Sequence, residues 1–96
     1  MELLTQNQLD IQILTLDESW HYDSGFLCRN LQFKDFVIAF EFMKAVAIVA
    51  EEQNHHPNWG NVYNRVDIRL ITHDSGGITM KDIELAREID RIFEEL

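Results

Sequence analysis

The sequence predicts an α+β domain of two layers, an antiparallel sheet covered on one face by helices. Three observations lead there. Apolar residues recur in steps of three and four along residues 36–50 and again along residues 83–93, the period of a helix with one buried face. Val66, Ile68 and Leu70 alternate with Arg65, Asp67 and Arg69, the period of a strand with one dry and one wet face. Between such segments stand Asp23-Ser24-Gly25, a turn signal of the kind that joins antiparallel strands, and Asp74-Ser75-Gly76-Gly77, where paired glycines stop a strand. Helices with one apolar stripe and strands that alternate must bury those faces on each other, which gives the layered class.

Taken in order, Leu4-Thr5 followed by Leu9, Ile13 and Leu16 marks a short amphipathic helix that Thr5 can cap, although Asp10-Ile11-Gln12-Ile13 also alternates like a strand. Residues 20–22 and 26–33 flank the Asp23-Ser24-Gly25 turn and form a hairpin. After Lys34 a central helix begins, with Phe36, Phe40, Met43, Ala47 and Ala50 as its buried face. It ends near Asn54, because Pro57 has no amide donor and drives the residue before it out of helical geometry. His55 and His56 therefore lie on the exit loop, and Glu51, one turn before His55, can reach them. A short strand beginning near Trp59 turns at Tyr63-Asn64 into the strand of residues 65–70, which places His73 at a strand end beside a turn. Thr79-Met80-Lys81-Asp82 has the spacing of a capping box, and Ile78 and Ile83 occupy staple positions. The C-terminal helix that follows turns Ile83, Ala86, Ile89 and Phe93 inward, and Glu84, Arg87, Glu88 and Arg91 to water.

Size and charge narrow the function classes. A chain of 96 residues fits a single domain, residues 1–96, with one core. A domain this small buries only about 60 to 65% of its unfolded surface, so association of subunits would add stability. Seventeen acidic residues against eight basic ones give a net charge of −9, which opposes direct nucleic-acid binding. Cys28 is the lone cysteine and no charged segment leads into an apolar one at the N-terminus, so an intracellular, reducing, cytoplasmic setting is expected. Residues 36–50, interrupted by Glu41 and Lys44, fall short of the roughly 20 that a membrane span requires.

The chemistry should lie where His55, His56 and His73 gather around Pro57, Trp59 and Tyr63. Imidazoles shuttle protons near neutral pH, and the aromatics and the proline offer rigid, apolar walls for a flat heterocycle. Zinc is a rival reading, since histidines with a carboxylate can form a three-ligand site. Against it, there is no H-E-x-x-H helix or C-x-x-C pair, and adjacent imidazoles point apart. Cys28 is remote on a strand and Ser75 has no nucleophile-elbow context, which leaves acid/base work without a covalent intermediate. Bland roles stand beside these: Asp82 as a helix cap, Trp59 and Tyr63 as core or interface packing, Glu51 as a solvated carboxylate, and His21 as a polar strand residue.

Together, Glu51-x-x-x-His55-His56-Pro57, Asn61-Val62-Tyr63-Asn64-x-Val66, Thr72-His73-Asp74-x-Gly76-Gly77 and Thr79-x-x-Asp82-x-x-Leu85-Ala86 resemble the signature of the pterin-4a-carbinolamine dehydratases. Phe33-Lys34-Asp35-Phe36 and Phe42-Met43-x-x-Val46-Ala47 are similar to that family too, while residues before about Trp20 depart more. The resemblance implies a four-stranded antiparallel sheet covered on one face by three helices, with subunits joined as homodimers or homotetramers. It also implies metal-free dehydration of 4a-hydroxytetrahydrobiopterin to quinonoid dihydrobiopterin with no cofactor, recycling the pterin of aromatic amino acid hydroxylases. By the same resemblance His55, His56 and His73 are catalytic, with Pro57 and Thr72, His73, Asp74 and Ser75 lining the pterin site. Glu51 would orient a histidine or bind the ring, His55 and His73 would transfer protons and His56 would hold substrate, with Trp59 and Asp82 as further pocket candidates. Some relatives act as dimerisation cofactors for a homeodomain transcription factor, so an interaction module is an alternative. Another is a homologue turned to a different pterin, including one of molybdenum-cofactor metabolism.

Overall fold

The order is helix, two strands, helix, two strands, a 3-10 turn and a helix in the computed structural model, which describes residues 2–96. Thr5 caps α1 (Gln6–Ile13): its hydroxyl accepts from the Gln8 N–H while the Gln8 carboxamide oxygen accepts from the Thr5 N–H at 2.8 Å. This reciprocal box decides for helix over the alternating-strand reading of residues 10–13. β1 (His21–Asp23) and β2 (Phe26–Gln32) are joined by Ser24-Gly25, whose φ values of 51° and 91° are those of a two-residue hairpin turn. β2 pairs with β4 (Arg65–Leu70), and β4 with β3 (Asn58–Val62), giving an antiparallel sheet in the order β1-β2-β4-β3. Leu27, Leu31, Val66, Ile68 and Leu70 fill the core side, and Arg65, Asp67 and Arg69 face water.

Two long helices complete the core. α3 (Met80–Glu94) begins with the expected capping box at Thr79 and Asp82, and Ile83, Ala86 and Ile89 are fully buried. α2 (Phe36–Gln53) is capped by Asp35, whose carboxylate accepts from the Ile38 N–H at 2.9 Å, and ends at Asn54 in the left-handed conformation. Its buried stripe is Ala39, Phe42, Val46 and Ala50. That corrects the expected stripe: only Ala50 is shared, Met43 is half-buried, and Phe36 and Phe40 are 46% and 49% exposed. α2 is apolar nearly all round, so two stripes of equal period compete, and tertiary packing selects the one carrying Phe42. That ring meets Phe33 at 5.0 Å and Phe93 at 6.3 Å, whereas Phe36 and Phe40 pack on each other at 5.8 Å on the outer side.

An ionic cluster crosses this core. Arg29, on the inward side of β2, is 5% exposed and donates to Asp90 of α3. Asp90 also accepts from the Trp20 indole at 2.7 Å and from the Asp17 N–H at 2.9 Å. Among the described residues no helix is long and apolar enough to cross a membrane.

Candidate active site

The end of α2 sets the two adjacent histidines apart. With Asn54 left-handed, the His55 N–H donates back to the Ala50 carbonyl at 3.0 Å, a wrap that tucks His55 beneath the helix end. His55 is 8% exposed, and its Nε2 lies 2.6 Å from Oδ1 of Asp82. His56 faces outward instead, with Nε2 2.8 Å from Glu51. His73 opens the 3-10 turn (His73–Ser75) that follows β4 and is exposed.

Asp82 is the hub behind His55. Its other oxygen, Oδ2, accepts from the Thr79 N–H at 2.9 Å and from the Thr72 hydroxyl at 2.8 Å. The single Thr72 proton is thereby used, so in the 2.7 Å Thr72–Thr79 hydroxyl pair Thr79 is the donor. A carboxylate accepts only, and it assigns the shared proton to Nε2 of His55, leaving Nδ1 as the basic nitrogen.

The three imidazoles share one cleft of about 230 Å³, lined by Asn54, His55, His56, Ile71, Thr72, His73, Asp74 and Lys81. Glu51 stands outside the lining and reaches it through His56, and Asp82 through His55. Pro57 and Ser75 flank the lining loops without joining it. Trp59 lies elsewhere: it packs against the core and lines a larger hollow of about 410 Å³ with His21, Cys28 and Asp67. That hollow holds one histidine, so the acid/base groups converge in the smaller cleft. Tyr63 sits at the exposed β3–β4 turn with φ of 52°. Asn54, Ile71 and Lys81 were not singled out from the sequence. Lys81 is the most traceable of them, as the residue before the capping Asp82 in the first turn of α3.

The description "Pterin 4 alpha carbinolamine dehydratase" belongs to a family profile that matches residues 2–92. The chain belongs to the pterin-4a-carbinolamine dehydratase family. A Synechococcus sp. (strain WH7803) protein whose name places it in this dehydratase family is 52% identical over 90 residues, covering 94% of this chain and 96% of that one. A Burkholderia vietnamiensis (strain G4 / LMG 22486) relative of the family reaches 62% identity over 64 residues, 67% of this chain and 63% of that one. The family's fold is matched by a crystal structure described as a transcriptional coactivator/pterin dehydratase from Brucella melitensis. Its TM-score is 0.89 at 41% identity, over 93% of this chain and 96% of that one.

Proposed function

We propose that the chain dehydrates 4a-hydroxytetrahydrobiopterin to quinonoid dihydrobiopterin by histidine acid/base catalysis without a metal. The observation that carries this reading is the convergence of His55, His56 and His73 on one cleft, with His55 held by the buried Asp82. Dehydration needs two proton transfers: the hydroxyl on carbon 4a leaves as water once protonated, and a ring N–H gives its proton to a base as the C=N bond forms. His55 and His73 are assigned to these transfers and His56, tethered by Glu51, to holding the ring. The net reaction releases water and leaves the protein's protonation unchanged.

Purified protein should accelerate the decay of 4a-hydroxytetrahydrobiopterin, with no loss on adding a chelator. No acceleration over the uncatalysed decay would refute the reading. His55→Ala and His73→Ala should each lower the rate by about 10² to 10⁴, the range of a general acid or base. The activity would recycle the pterin of an aromatic amino acid hydroxylase in the cytoplasm. A panel of other pterins tests the repurposed-homologue alternative.

Self-association as a homodimer or homotetramer belongs to the same proposal, supported by the exposed Phe36, Val37, Phe40 and Ile48 along the outer side of α2. That stripe and the coactivator half of the Brucella melitensis protein's description favour an interaction role as the second reading. Co-purification of a protein partner that survives replacement of all three histidines would support it.

A further inference from the structure

His55 is fixed by a buried carboxylate, but His73 is exposed and stands on a turn, so the backbone of that turn decides where its imidazole sits. The turn is closed at its base by Thr72 and Gly77, whose backbones pair: the Thr72 N–H donates to the Gly77 carbonyl at 2.9 Å and the Gly77 N–H returns a longer bond at 3.4 Å. A second layer then covers this base. The Leu4 N–H donates to the Ile78 carbonyl at 2.9 Å, and Leu3 lies so close that a Cβ added at Gly77 would stand 3.0 Å from its Cδ2. Leu4 also packs on the core, and the next residue, Thr5, is the N-cap of α1, so the segment is anchored on both sides of its contact. Leu3 is half exposed, so burial alone does not explain its seat on Gly77.

We propose that Leu3 and Leu4 form a strap that clamps the Thr72–Gly77 turn and so positions His73 in the cleft it shares with His55. They are positioning residues, acting through Gly77 and Ile78. The clamp stands on geometry alone, while its effect on turnover rests on the dehydratase reading.

Three variants address it from different sides. Leu4→Pro deletes the N–H that bonds Ile78. Leu3→Ala removes the contact on Gly77, and Gly77→Ala drives a methyl into that contact. Amide hydrogen exchange and the His73 ring resonances are the primary readouts, since neither needs turnover. Leu4→Pro and Leu3→Ala should speed exchange at Thr72, Gly76 and Gly77 by about tenfold as local opening becomes easier, with the Ile68 amide in β4 unchanged. The His73 resonances should shift in all three variants. The same variants should lower kcat by about 10- to 100-fold, the scale of a misplaced reacting group, with a smaller effect on KM. Exchange that stays slow at the turn, or that rises equally at Ile68, would overturn the clamp. Faster exchange with unaltered His73 resonances would overturn its positioning role. A wild-type protein without dehydratase activity would refute the proposed reaction and leave exchange and resonances to decide the strap.

Discussion

Asp82 holds two jobs that the sequence set against each other, helix cap and pocket residue. One oxygen caps Thr79 and the other holds His55, so the roles are compatible because a carboxylate has acceptor sites to spare. The three histidines were legible from spacing, whereas the Asp82 contact was not, since it joins residues 27 apart through the docking of α3 on the end of α2. Asp82→Asn tests the coupling. Its amide can keep one acceptor for the cap but then donates to Nε2, which moves the His55 proton to Nδ1 and reverses the proton-transfer role proposed for that nitrogen. The expected loss of rate is about 10² to 10⁴, as for a general base. A wild-type rate in this variant would show that Asp82 does not set the His55 tautomer. Asp82→Ala should also cost about 1 kcal/mol for the cap and about 1 to 3 kcal/mol for each buried partner left unpaired, read by urea unfolding. Cys28 makes a second residue-scale prediction. Burial, and then the charge of Asp23, push its thiol above the ordinary 9.0. The thiolate is the reactive form, so at pH 8 alkylation should be much slower in native than in unfolded protein. Equal rates would refute the burial argument.

Helices differ in how much of themselves the sequence discloses. α1 and α3 announce their starts through Thr5 and the Thr79/Asp82 box, and the mixed apolar and charged faces of α3 point one way. α2 has no such contrast. Its limits were legible as a start after Lys34 and an end near Asn54, but the Asp35 cap was not, and its orientation depends on which stripe finds Phe33 and Phe93, a property of the assembled core. Phe42 and Phe40, two residues apart on one helix, should therefore respond very differently to truncation. Phe42→Ala is expected to cost about 3 to 5 kcal/mol, the range for a buried phenylalanine. Phe40→Ala should cost under about 1 kcal/mol in dilute monomer, as an exposed position does. Equal losses on chemical denaturation would return the buried face to the Phe36–Phe40 stripe. The proposed self-association uses this outer stripe, so Ile48→Glu should shift sedimentation toward the monomer mass. An unchanged oligomer would place the interface elsewhere.

At the scale of the whole molecule, the residues that gather around Asp90 tie together the connection after α1, the second strand and the last helix. Periodicity could not foresee this: Arg29 lies between Leu27 and Leu31 on the dry side of β2, where a charged residue breaks the pattern. Its guanidinium donates to Asp90, lies 3.5 Å from Asp17 and stacks 4.9 Å from the Phe93 ring centre, while its Nε has no hydrogen-bond partner among the described residues. Asp17 is held below the ordinary 3.8, first by the Ser19 N–H, then by the Ser19 side chain and, against a small burial effect, by Arg29. A depressed carboxyl adds stability above its unfolded value and loses it as pH falls through the folded one. Asp17→Asn should therefore lower stability at neutral pH and flatten its decline below about pH 4 in acid titrations of unfolding. The larger effect belongs to Asp90. Removing it strands a buried guanidinium, which typically costs about 3 to 5 kcal/mol, whereas replacing both partners by apolar groups is often neutral. Asp90→Ala alone should thus fall well below Arg29→Met/Asp90→Leu in urea midpoint. The double variant should recover most of the loss, because what destabilises is the unpaired charge. A double variant no more stable than Asp90→Ala would mean instead that the hydrogen bonds from Trp20 and Asp17, which no apolar side chain can accept, are what join the two ends of the chain.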